Sequence, residues 1–193
     1  MPDNDQRIVD EIRRGDIRSF AVLVELHKNR ALTLGMRLVG DREEAEELVQ
    51  DAFLRAYQNL GQFRGDAKFS TWFYRVLYNL CMTKVARRRG TMSSFNDEKE
   101  NELDRVHTGT DELSVHEKLE EEETRQIVAL EIGLLPEKFR IPVTLFYVQE
   151  LTYEEIATVM NAPLGTVKTN LFRGRNLLRK RVLARMKEEV NAA

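Results

Sequence analysis

Two stretches of this 193-residue sequence carry positive charge with no acid beside it. Ala67 to Asn96 holds Lys68, Arg75, Lys84, Arg87, Arg88 and Arg89, and Pro163 to Lys187 holds Lys168, Arg173, Arg175, Arg179, Lys180, Arg181, Arg185 and Lys187. Clustered cations are the electrostatic footprint of a polyanion-binding face. On an ordinary solvated helix face they would find acids three or four residues away. The first run also interleaves rings, from Phe63 through Phe69, Trp72, Phe73, Tyr74 and Tyr78. Rings stack on unpaired bases while cations track phosphates, which is the chemistry of single-stranded nucleic acid. At helical spacing most of these rings belong to a core, with Phe69, Phe73 and Trp72 foremost. Phe63 differs: it lies between Gly61 and Gly65 in a polar loop beside Arg64, where a ring is expected to contact a ligand.

The second run continues a different pattern. Thr152 to Arg175 reads as a short helix, a turn at Asn161–Pro163 and a longer helix. Ala157 is small within the first helix and Val167 packs back from the second. That is a helix-turn-helix, whose second helix enters the DNA major groove. Lys168, Thr169, Arg173 and Arg175 then project near the N-terminal half of that helix. Lys and Arg bond guanine edges or phosphates, and Thr bonds a phosphate or touches a thymine methyl. A helical hairpin that merely packs is the bland alternative; the acid-free run argues against it.

Helices must position these residues throughout. Ile8, Val9 and Ile12 begin one apolar face, and Phe20, Leu23 and Val24 continue it at helical steps. Gly40-Asp41 punctuates, and Asp41 with Glu44 has a capping-box pattern. Leu48/Val49, Ala52/Phe53 and Ala56/Tyr57 recur every four residues, predicting a helix over 42–60. Ser70 is placed to cap the next helix, which carries Phe73, Val76, Leu77 and Leu80 and runs to Arg87–Arg89. Leu119 to Leu135 is predicted as a helix stopped by Pro136. Glu137 to Val148 is another, with Pro142 in its first turns. Thr152 to Glu155 forms a second capping box. The last helix starts near Pro163 and carries Val167, Leu171, Leu178 and Val182 on one side.

Between the halves the composition changes. Thr91 to Glu123 holds twelve acids and three bases, a net of −9, against +7 for the rest of the chain. Residues 91–118 have few large apolar side chains and read as a flexible linker, since they bury too little surface to offset their ordering entropy. The expectation is all-α: residues 1–90 and 119–193 as two small helical domains joined by that acidic linker. The whole-chain charge of −2 is therefore a cancellation and says nothing against nucleic acid. A single cysteine, Cys81, excludes an internal disulfide framework and a multi-cysteine zinc site and suits the cytoplasm. No run approaches the roughly 20 apolar residues of a membrane helix, so no membrane insertion is expected. Three histidines, no HExxH and no phosphate-binding glycine loop argue against an enzyme or a cofactor.

Three blocks in order resemble one family. GDREEAEELVQDAFLRAYQNL, FRGDAKFSTWFYRVLYN and LPEKFRIPVTLFYVQELTYEEIATVMNAPLGTVKTNLFRGRNLLRK are similar to regions 2.2, the following −10 regions, and region 4 of bacterial sigma factors of the extracytoplasmic-function type. The resemblance spans nearly the whole chain and implies a transcription initiation factor that brings core RNA polymerase to promoters and assists their opening. It implies that Asp41, Glu44, Glu47, Leu48, Asp51 and Phe53 meet the clamp helices of the largest subunit. It assigns Phe63, Arg64, Lys68, Asn79, Lys84, Arg87 and Arg88 to the −10 element, with Phe63 and Asn79 at a pocket for an extruded base. It assigns Pro163, Thr166, Lys168, Thr169, Arg173 and Arg175 to the −35 element, with the β flap and an anti-sigma factor as further partners. Lys168-Thr169-Asn170 stands where relatives often carry Arg-Ser-Arg, so fewer guanidinium forks are available for guanine. An autonomous helix-turn-helix regulator of duplex operators would explain the C-terminal half alone; tight operator binding unaffected by polymerase would mark it.

Overall fold

The computed structural model describes the backbone of residues 4–91 and 115–192 and the side chains of 4–88 and 124–187. Among these residues there are eight α-helices and no strand: α1 (Asn4–Arg13), α2 (Ser19–Val39), α3 (Arg42–Asn59), α4 (Phe69–Thr91), α5 (Val115–Gly133), α6 (Glu137–Tyr147), α7 (Tyr153–Met160) and α8 (Leu164–Ala192). A 3-10 turn, Leu60–Gln62, follows α3. The all-α expectation holds. Of the acidic stretch 91–118, residues 92–114 lie outside the described residues; Thr91 closes α4 and 115–118 open α5.

In the first lobe α2, α3 and α4 pack on one another and α1 lies against α2 and α4. Ala45, Val49, Ala52, Phe53 and Ala56 form the buried stripe of α3, at steps of three and four residues. Phe53 stacks on Phe73 of α4 with centroids 4.4 Å apart. Gly35 lets α2 close on α3, since a Cβ there would stand 3.3 Å from that of Ala45. Gly40 ends α2 at φ 75°, a left-handed conformation that favours glycine. The Asp41 side chain then accepts the Glu44 N–H at 2.8 Å and starts α3. Only half of the expected capping box forms there, because the Glu44 carboxylate reaches Arg88 instead. A buried cluster links three helices: His27 Nε2 lies 2.9 Å from Asp5 Oδ2 and His27 Nδ1 lies 3.4 Å from the Tyr74 hydroxyl.

In the second lobe α8 runs across α5, α6 and α7. Pro142 is the sixth residue of α6, past the residues whose N–H groups are free, so α6 continues with one backbone bond missing. Gly174 is the point of closest approach: a Cβ there would sit 2.8 Å from Val143 Cγ2 and 3.2 Å from Phe139 Cβ. Ser70 is not the cap expected of it. α4 starts one residue earlier, with the Lys68 carbonyl accepting the Trp72 N–H at 3.1 Å. The two lobes are not held apart. α4 packs on α7 and α2 on α6, and the buried apolar residues of both lobes join in one cluster.

Candidate nucleic-acid interface

A groove runs between α3 and α4, lined by Glu47, Leu48, Asp51, Arg55, Asn59, Gln62, Trp72, Val76, Asn79, Leu80, Thr83, Lys84 and Arg87. α4 builds its wall because Trp72, Val76, Asn79 and Thr83 recur at three- and four-residue steps, opposite the buried Phe73, Leu77 and Cys81. Asn79 is exposed and Trp72 half-buried. The Trp72 ring is backed by Phe63 at 5.2 Å and Phe69 at 5.9 Å.

Phe63 departs from expectation. Its ring is buried, at 4% exposure, beneath Trp72 and under the Arg13 guanidinium at 5.8 Å. Its carbonyl accepts a hydrogen bond from Arg13 Nη2. The flanking glycines suggested an open loop; the 3-10 turn instead folds the ring into the aromatic cluster. Trp72 occupies the accessible position, and the signal that could have found it is its seven-residue spacing from Asn79.

The expected −10 cations are distributed unevenly. Arg64 and Arg87 are exposed. Lys84 Nζ lies 3.7 Å from Glu44 and Arg88 Nη1 3.2 Å from the same carboxylate. Arg88 also donates to the Val39 carbonyl at 3.1 Å. Lys68 pairs with Glu155 of the second lobe at 3.1 Å. Three of these bases thus have acid partners drawn from other helices.

The acidic face of α3 presents Asp41, Glu47 and Asp51 to solvent, with Leu48 half-buried among them. Phe53 is not on that face; at 7% exposure it belongs to the core, and its neighbour Leu54 is 54% exposed instead. The helical repeat explains the shift. Leu54 follows Asp51 by three residues and Glu47 by seven, whereas Phe53 follows Val49 by four.

The helix-turn-helix forms as its spacing requires. Thr152 and Glu155 make a full capping box at the start of α7. Asn161 ends it in the left-handed region at φ 49°, and the Pro163 carbonyl accepts from Thr166 and Val167 to begin α8. Ile156, Val159, Val167 and Leu171 are buried between the two helices. Thr166, Lys168, Thr169 and Arg173 are exposed along one side of α8, and among the described residues Lys168 and Arg173 hold no ion pair. Phe172, unassigned by the sequence reading, is 68% exposed on the same stripe. Arg175 is set aside from it, with its guanidinium 5.7 Å from both the Phe146 and Tyr147 rings.

Comparison with known proteins gives this architecture a class. Residues 23–91 match the family model for sigma-70 region 2, and residues 125–178 that for sigma-70 region 4. The chain belongs to the sigma-70 family of transcription initiation factors. Within it the chain is an extracytoplasmic-function sigma factor. It is 38% identical over 180 residues to the ECF RNA polymerase sigma-E factor of Escherichia coli K12, covering 92% of this chain and 94% of that one. It is 37% identical over 188 residues to the RNA polymerase sigma-H factor of Pseudomonas aeruginosa, covering 96% and 97%. It is 32% identical to the ECF sigma factor SigW of Bacillus subtilis, covering 90% and 94%. Two solved structures share the fold at lower identity. CnrH in complex with the cytosolic domain of CnrY matches with TM-score 0.63 and 21% identity over 94% of this chain and 99% of that one. The sigma factor RpoE in complex with the anti-sigma factor NepR from Bartonella quintana matches with TM-score 0.64 and 20% identity over 86% and 97%. Sigma factors serve transcription initiation with RNA polymerase at promoters. Among the described residues no helix is long and apolar enough to cross a membrane.

Proposed function

We propose that the α3–α4 groove receives the separated strand of a −10 element while the exposed stripe of α8 reads a −35 element as duplex. Trp72 offers a ring face to an extruded base, Asn79 its amide to the base edge, and Arg87 and Lys84 their charge to phosphates. Phe63 supports Trp72 from beneath. Lys168, Thr169, Phe172 and Arg173 face the major groove, and Arg175, between its two rings, is offered to a phosphate. The outward face of α3, with Glu47, Leu48, Asp51 and Leu54, docks on the clamp helices of core polymerase. The second lobe meets the β flap. An anti-sigma factor, as accompanies RpoE in its solved complex, is the further partner, and the cytoplasm, where polymerase works, is the site of action.

The observation that carries this reading is the pairing of Trp72 and Asn79 on one wall of a groove that also holds Lys84 and Arg87. Stacking on a ring contributes about 1–3 kcal/mol per base, enough to offset much of the few kcal/mol that extrusion costs. Trp72→Ala and Asn79→Ala should leave affinity for core polymerase unchanged and lower permanganate reactivity of −10 thymines in open complexes by roughly tenfold, the equivalent of 1.4 kcal/mol. Wild-type reactivity in both variants would overturn the assignment.

A further inference from the structure

The ring offered to an extruded base is braced from a helix that lies outside the groove. Arg13 closes α1, and its positive charge stands in the last turn, where the helix dipole favours one. Its Nη2 donates to the Phe63 carbonyl, fifty residues away in the sequence. Its guanidinium lies 5.8 Å from the centre of the Phe63 ring. That ring in turn meets Trp72 at 5.2 Å and 38°. One side chain therefore holds both the backbone and the ring of the residue on which Trp72 rests.

The segment so held is irregular. From Phe63 to Lys68, between the 3-10 turn and α4, the backbone forms neither helix nor strand. Carbonyls in such a segment must find partners outside it. The Phe63 N–H is answered locally, by the Leu60 carbonyl at 3.2 Å; the Phe63 carbonyl is answered by α1. The same helix meets the loop a second time at Gly65, where φ is 81° and a Cβ would stand 3.7 Å from Gln6 Oε1. Gln6, Asp10 and Arg13 share one face of α1, at steps of four and three residues. Gln6 Nε2 donates to Asp10 Oδ1 at 3.1 Å, and that oxygen lies 3.7 Å from Arg13 Nη1. The helix is itself pinned to α2 by the buried pair of Asp5 and His27, with Ile8 and Val9 in the core.

A ring that must accept a base gains from being fixed beforehand, because ordering it on binding costs affinity. We infer that Arg13 is a positioning residue for strand capture: through Phe63 it holds Trp72 at the angle an extruded base requires, without itself touching DNA. This rests on the groove reading above. The rival account is plain charge, since any cation near the strand attracts it. Arg7 of the same helix, paired with Glu11 at 3.8 Å, carries the same charge without the bond to Phe63 and supplies the comparison.

The test uses the full chain. Trp72 is its only tryptophan, so indole emission reports this ring alone. Arg13→Ala should shift that emission to longer wavelength, and Arg7→Ala should leave it unchanged. The Arg13 side chain is 35% exposed at a helix end, so both variants should keep the wild-type circular dichroism. Affinity is read by fluorescence polarisation of a fluorescein-labelled single-stranded DNA of mixed sequence. Arg13→Ala should weaken binding roughly threefold more than Arg7→Ala does, a part of what a stacked base contributes. Arg13→Lys, which keeps a donor for the carbonyl, should recover most of that loss. In a Trp72→Ala background Arg13→Ala should cost no more than Arg7→Ala, because the ring it positions is gone. Equal losses for Arg13→Ala and Arg7→Ala, or the same Arg13→Ala loss with and without Trp72, overturn the positioning role and leave the groove reading standing. Collapse of Arg13→Ala by circular dichroism also overturns it, by making Arg13 a folding residue. Wild-type affinity in Trp72→Ala, or no binding by any variant, removes the groove reading itself.

Discussion

Glu131 is an acid that the second basic run lacks within its own length. It is buried in α5, with Arg181 Nε 2.6 Å and Arg185 Nη1 3.6 Å from its two oxygens. Glu44 does the same for Lys84 and Arg88, and Glu155 for Lys68. Scanning a run for acids three or four residues away finds only partners on the same helix, so the sequence overstated how many of these cations stand free. Lys168 and Arg173 are exposed, and among the described residues neither holds an ion pair. The same blindness to neighbours hid that Phe63 and Phe53 are buried while Trp72 is half-buried and Leu54 exposed, each decided by which ring or methyl another helix covers. A buried carboxylate deprived of both partners is costly. Arg181→Met with Arg185→Met should therefore lower stability by about 3–5 kcal/mol, and adding Glu131→Gln should recover most of it; urea unfolding monitored by circular dichroism reads both. A second check is chemical. Burial pushes the Cys81 thiol up to about 12, so native protein at pH 8 should resist iodoacetamide that modifies the urea-unfolded chain within minutes.

At the scale of elements the sequence was most legible where local chemistry decides. Thr152 with Glu155, Gly40 before Asp41, and Asn161 before Pro163 each set a helix end through bonds within a few residues. The boundary at Ser70 was missed because Phe69 is drawn into the aromatic cluster with Phe73 and His27, and tertiary packing overrode a good capping residue. What the sequence did not disclose was the role of Gly174. An isolated glycine within a helix costs about 1 kcal/mol against alanine, so its presence between Arg173 and Arg175 needs a reason. Contact with Val143 and Phe139 supplies it. Gly174→Leu should force α8 off α6 and lower the melting temperature by roughly 5 °C or more, as overpacking by 1–3 kcal/mol implies. Differential scanning calorimetry measures this, and an unchanged transition would show that Val143 and Phe139 yield freely.

For the molecule as a whole, the seam between lobes was illegible because its polar members find their cross-lobe partners far away in the sequence. The acidic composition between the lobes suggested separation; Arg30, Arg37, Lys68, Gln149 and Glu155 bring them together. One of these contacts responds to acid. Burial pushes the Glu155 carboxyl up, but the Thr152 N–H and hydroxyl and the Lys68 ammonium together hold it below its ordinary value of 4.5. Its stabilising contribution is thus full above the unfolded carboxylate range and fades as pH falls through the depressed folded value. The stability advantage of wild type over Glu155→Gln should be steady near neutrality and shrink below pH 4.5; a gap that stays constant to lower pH would show that the carboxylate's charge contributes nothing. The division of α8 into two faces carries a consequence for how such proteins diverge. Val167, Leu171, Gly174 and Leu178 face inward and are answerable to packing, whereas Thr166, Lys168, Thr169, Phe172 and Arg173 lie in solvent. Substitutions on the outer face change what is touched without changing whether the chain folds. Selection can therefore rewrite the sequence preference of this helix one side chain at a time, along a path on which every intermediate remains a stable protein.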